Sequence, residues 1–192
     1  MKKLFLVAFS LTINFDSFAA FESTYEPLQS EKVLFINGNI LDGEGNELLD
    51  TDLLIADGKI IAIGKGISVD DKDVKIIDAK NKWITPGIID IHSHMGVYPA
   101  PSVRTSSDGN EATSPVTAEV WAEHSMWVQD PQYALALKGG ITTFHVLPGS
   151  ANLIGGRGVT VKNLQRNTIQ SMKFPDAKHS LKMACGENPK RV

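Results

Sequence analysis

The chain's densest chemistry is His92-Ser93-His94, two imidazoles separated by one residue. On a β-strand, successive side chains alternate between the two sides, so His92 and His94 project together, Asp90 shares their side, and Ile89 and Ile91 face the other way. Two imidazoles aimed in parallel can hold one divalent cation, and a carboxylate at Asp90 is placed to orient a ring by accepting from the nitrogen that does not face the ion. The bland alternative is a pair of polar residues at a strand end. The context weighs against it, because Pro86-Gly87 leads into an apolar run that ends in the pair. Zinc is the first choice for imidazole ligands, with iron or manganese as alternatives. Two further side chains are candidate substrate contacts. His145 lies near the end of a second β-like run and either faces the site or is a hydrogen-bonded interior histidine. Arg157 sits in a glycine-dense loop with Gly149, Gly155, Gly156 and Gly158; it either holds an anionic substrate group or belongs to an ordinary flexible loop. That loop lacks the Gly-Lys-Ser/Thr ending of a nucleotide P-loop. His124 reads as packing and His179 as exposed.

The elements that would position these groups follow from periodicity. Residues 32–82 carry short β runs broken by Asn37-Gly38 and Asp57-Gly58, dipeptides suited to two-residue hairpin turns, and read as a small antiparallel β unit. A strand over 84–94 leads into a long loop, 95–117. The apolar stripe Val120, Trp121, His124, Trp127 and Val128 then predicts a helix. A second helix starts at Asp130-Pro131 and stops at Gly139; strands follow over 141–147 and 181–185, with a short run at 159–161. Strands alternating with helices indicate an α/β fold with a parallel sheet.

Composition narrows the function classes. The 192 residues carry 19 Lys+Arg against 22 Asp+Glu, a net charge of −3, which argues against nucleic acid as a partner. Cys185, the one cysteine, allows neither an internal disulfide nor a four-cysteine zinc site. Met1-Lys2-Lys3, an apolar run from Leu4 to Ile13, and Ser17-Phe18-Ala19-Ala20 form a secretory signal pattern, with cleavage after Ala19 or Ala20. The expectation is an exported protein, periplasmic or secreted, with no membrane span once the leader is removed and with residues 21–31 as a linker.

Asp57-Gly58-Lys59-Ile60-Ile61-Ala62-Ile63-Gly64 and Pro86-Gly87-Ile88-Ile89-Asp90-Ile91-His92-Ser93-His94 resemble the amidohydrolase superfamily. The runs Gly139-Gly140-Ile141-Thr142-Thr143 and Pro148-Gly149-Ser150-Ala151-Asn152-Leu153-Ile154-Gly155-Gly156 are similar to its imidazolonepropionase-like branch. The resemblance implies a β-sandwich part over residues 32–82. It implies a partial metal-dependent-hydrolase (β/α) barrel, about three βα units, over 83–192. The implied activity is hydrolysis of carbon–nitrogen bonds in small amides or cyclic amides rather than ordinary peptides. His92 and His94 are the implied metal ligands. Glu187, by analogy with branches that use a glutamate at a middle strand end, is either a third ligand or a solvated loop carboxylate. Lys182 is not given the role of the carboxylated lysine of other branches, which belongs to a later strand. Further ligands and the proton-carrying Asp would lie beyond Val192. An eight-stranded barrel needs about 250 residues. The expectation is therefore the N-terminal part of a longer hydrolase, unstable and inactive alone. The rivals are a non-catalytic binding or assembly protein on the same scaffold and a metallo-dipeptidase.

Overall fold

The computed structural model describes residues 20–192; the signal pattern lies outside the described residues. Strands β1 (Val33–Leu41), β2 (Glu47–Ala56), β3 (Lys59–Gly64), β4 (Lys75–Asp78) and β5 (Trp83–Ile84) form one sheet. β1, β2 and β3 are antiparallel neighbours, but β4 and β5 run parallel to β1, so the unit is mixed and not antiparallel as expected. Asp57 and Gly58 take φ of 51° and 68° and close the β2–β3 hairpin, as the dipeptide requires. Asn37-Gly38 does not turn the chain. It lies inside β1, where the pairing with β2 shifts register, and Asn37 takes φ 60°. The buried Asp52 carboxylate stabilises this bulge by accepting the Asn37 amide at 3.0 Å.

The expected strand over 84–94 is broken. Trp83–Ile84 pairs with β1, Thr85-Pro86-Gly87 interrupts, and β6 (Ile88–Ser93) begins a second sheet. Helix α1 (Gln132–Lys138) returns the chain to β7 (Ile141–Val146), parallel to β6. This is the one parallel connection made through an α-helix among the described residues. Strand β9 (Val159–Lys162) lies antiparallel to β7, and β10 (Leu181–Met183) pairs antiparallel with β8 (Ile154–Arg157), not alongside β7 as a third parallel strand. No helix separates β7, β8 and β9, and without a crossover element the chain can only double back. The side of this sheet carrying Phe144, Val146 and Val161 packs on Val97, Tyr133, Ala136, Ile169 and Met172, the central core.

The helix expected from the stripe at 120–128 is absent; only a 3-10 turn, Ala122–His124, forms there. The backbone is committed to neighbours instead, with the Val120 carbonyl accepting the Arg157 amide at 2.7 Å and the Trp127 amide donating to the Gly96 carbonyl at 2.9 Å. Cross-chain bonds thus replace the i→i−4 ladder. Residues 21–26 are docked rather than a free linker: the Thr24 amide donates to the Gln170 carbonyl at 3.0 Å and the Ser23 hydroxyl to the Lys173 carbonyl at 2.8 Å. No helix among the described residues is long and apolar enough to cross a membrane.

Candidate metal centre

His92 and His94 stand at the carboxyl end of β6, flanking the buried Ser93. Their ring centres are 5.4 Å apart at an interplanar angle of 79°. An ion about 2.1 Å from each coordinating nitrogen, with a ring radius of about 1.2 Å and a tetrahedral angle, would set two imidazole centres about 5.3 Å apart. The observed spacing meets that test. The His94 ring is also oriented, since its Nδ1 lies 2.8 Å from the Leu147 carbonyl, which can only accept. Nδ1 therefore carries a proton, which leaves Nε2 as the nitrogen that could face an ion, the arrangement of an imidazole held as a ligand by an outer acceptor. Leu147 follows β7, so the parallel neighbour of β6 aims the ring.

His92 is exposed, and Lys182 Nζ lies 3.1 Å from its Nε2. The Lys182 ammonium, then desolvation and the neighbouring His94, hold the His92 imidazole below its ordinary value against the opposing pull of Asp90. The His92 ring is thus disposed to be neutral, with Lys182 Nζ against the nitrogen that an ion would take from His92. Asp90 accepts the His92 backbone amide at 3.1 Å. The ring-orienting contact seen here is the Leu147 carbonyl on His94.

Beside His94 opens a pocket of about 460 Å³ whose walls include Tyr98, Asn110, Ser150, Asn188 and Arg191. The Tyr98 ring meets His94 edge-on at 5.5 Å. A side chain at Gly149 would collide with Asn110 and the Tyr98 hydroxyl, so glycine there allows the wall to close. The loop that carries Tyr98 is tied to Asp130, which is 2% exposed. Its carboxylate accepts the amides of Gly96 at 3.1 Å, Ala100 at 3.3 Å and Gln132 at 3.0 Å, and the Gln132 side-chain amide at 3.0 Å.

The remaining candidates lie elsewhere. His145 is half-buried, with Nδ1 2.9 Å from the Thr160 hydroxyl and Nε2 2.6 Å from that of Ser180. Burial, His179 and His92 push its imidazole down. Arg157 stacks over the Trp121 ring at 4.5 Å and donates to the Ala118 carbonyl at 3.1 Å. Glu187 is exposed and faces Arg191 at 3.7 Å. Among the described residues no three His, Cys, Asp or Glu gather into a metal-holding group, so Glu187 does not join the histidines. His179, expected exposed, is half-buried with its ring 4.7 Å from Trp121, and His124, expected as packing, is exposed with the Phe21 ring 5.0 Å away. Sequence reasoning missed Lys182 as a neighbour of His92. The trace available was its period-two spacing from Ser180, which puts both side chains on one side of the β10 segment.

No family model matches the chain. It is 34% identical over 152 residues to amidohydrolase tasK of Hapsidospora irregularis, covering 73% of this chain and 16% of that protein. It is 34% identical over 117 residues to the dihydroorotase of Bacillus cytotoxicus, covering 61% of this chain and 21% of that enzyme. Among solved structures, an amidohydrolase from Thermotoga maritima superposes with a TM-score of 0.73 at 38% identity, over 83% of this chain and 40% of that one. The homologues of this chain are amidohydrolases, and the chain belongs to that family. The chain spans less than half the length of each of these proteins.

Proposed function

We propose that residues 83–192 form the opening part of a (β/α)8 barrel, and that His92 and His94 contribute the first two metal ligands of a hydrolase acting on small amides or cyclic amides. The observation that carries this reading is the His94 ring, fixed through Nδ1 by the Leu147 carbonyl while Nε2 stays free 5.4 Å, ring to ring, from His92. A divalent ion held there, zinc first and iron or manganese as alternatives, would polarise a carbonyl and supply hydroxide near neutral pH. The chain's own part is to present the two imidazoles side by side and to wall the adjoining pocket with Tyr98, Asn110 and Ser150, which would orient a substrate amide. Lys182 must leave His92 Nε2 when that nitrogen becomes a ligand. By resemblance, such a centre takes further ligands and a proton-carrying Asp from later barrel strands. Residues 1–20 act in this reading as an export signal.

The test is metal content together with amide turnover in the longer polypeptide, comparing the native sequence with His92→Ala and His94→Ala. Loss of bound metal and of turnover in both variants is expected. Unchanged metal content in either variant refutes the assignment.

A further inference from the structure

The pocket beside His94 has a charge pattern that the metal chemistry does not use. Of the side chains that wall it, Arg191 is the one with a permanent charge, and none is a carboxylate. The rest of the polar wall is neutral: Asn110, Ser150 and Asn188, with the Tyr98 hydroxyl. The Asn188 side-chain amide donates to the Ser150 hydroxyl oxygen at 3.1 Å, which leaves the Ser150 proton to be donated elsewhere. Among the described residues Arg191 has one ion-pair partner, Glu187, at 3.7 Å between side chains that are 72% and 80% exposed. A pair so hydrated is worth little, and Glu187 does not wall the pocket. The guanidinium therefore keeps donors for a guest. Two other cations are engaged elsewhere: Arg157 stacks on Trp121, and Lys182 lies against His92.

A guest with a negative charge matches this wall. A planar guanidinium presents two parallel N–H groups to a carboxylate, and charge-assisted bonds of that kind are about twice as strong as neutral ones. One guanidinium balances one negative charge, which favours a carboxylate over a doubly charged phosphate. A cationic guest would meet the guanidinium with no carboxylate in the wall to offset it. Resting on the hydrolase reading above, we propose that this pocket selects small amides that carry a carboxylate, N-acyl amino acids being the simplest, and that Arg191 is the residue that decides it. The carboxylate of the guest accepts from the Arg191 guanidinium and from the Ser150 hydroxyl, at the pocket that His94 borders.

The probes are N-acetylglycine, its neutral counterpart N-acetylglycinamide, and methyl phosphate, titrated into the chain without metal and followed by NMR at the Arg191 guanidinium and the Asn188 side-chain amide. N-acetylglycine is expected to shift both signals saturably, at least about 10-fold tighter than the neutral amide and tighter than methyl phosphate. In Arg191→Gln, an exposed position whose replacement leaves the fold intact, the acid should bind no tighter than the neutral amide. Equal affinity for acid and amide, an unchanged preference in Arg191→Gln, or methyl phosphate as the tightest guest overturns the proposal. The readout needs neither metal nor turnover. A chain that loads zinc at His92 and His94 yet treats acid and amide alike loses this proposal alone, while one that selects the acid but holds no metal loses the hydrolase reading.

Discussion

Asp130 joins the core to the wall of the candidate centre, and replacing it tests how that wall is held. Asp130→Asn conserves volume but turns one carboxylate oxygen into an NH2 group that cannot accept. If the carbonyl oxygen takes the Oδ1 position, the amides of Ala100 and Gln132 keep their partner, while the Gly96 amide and the Gln132 side chain lose Oδ2. A buried donor left without a partner costs about 1–3 kcal/mol. The Gln132 side chain can turn towards water, so most of the penalty falls on Gly96, whose bond is buried. The total is about 2–3 kcal/mol, equivalent to a fall in Tm of roughly 5–10 °C for a domain of this size. Urea and thermal denaturation of the chain, or of the longer polypeptide carrying it, would read the loss. Hydrogen exchange at Gly96 should quicken locally. A variant within about 0.5 kcal/mol of wild type with an unchanged Gly96 amide would refute the reasoning.

Other outcomes follow from single contacts. Lys182→Met should tighten metal binding about 2- to 10-fold in chelator competition, because the ion no longer displaces a hydrogen bond from His92; weaker binding would contradict this. Glu123→Ala should cost about 3–5 kcal/mol in equilibrium unfolding, since it strands the buried Lys173 ammonium 2.6 Å from the Glu123 carboxylate, and a neutral result would count against that ion pair. His145 should titrate below 6.5 by NMR, because burial, His179 and His92 disfavour its charged form. Its folded-state value is depressed, so the folded chain binds fewer protons than the unfolded one as pH falls below 6.5. The linked stability is complete above 6.5 and lost on acidification, and in His145→Gln that part of the pH dependence should vanish.

Local signals in the sequence reported what was locally determined. Asp57-Gly58 has positive φ at both residues and makes its hairpin, and the helix between Asp130 and Gly139 appears at Gln132–Lys138, with the Asp130 carboxylate on the Gln132 amide. The nearness of the two histidine rings was legible because it needs only one strand. Groups that reach the pair across the fold were not: the Leu147 carbonyl is 53 residues from His94, and Lys182 is 90 from His92. The stripe at 120–128 had helical period, yet Val120 and Trp127 found backbone partners in β8 and at Gly96. Asn37-Gly38 had turn chemistry and became a bulge, since β2 continues past it and Asp52 fills its amide. Hydrophobic period also mispriced exposure, for Ile91 is 76% exposed on β6.

The most direct measurement is a titration of the chain with zinc, followed through the ring nitrogens of His92 and His94 by NMR. At one equivalent, both Nε2 resonances should shift together while His94 Nδ1 keeps its proton towards Leu147, and both responses should vanish in His94→Ala. Zinc bound elsewhere, or at one of the two rings without the other, would contradict the account.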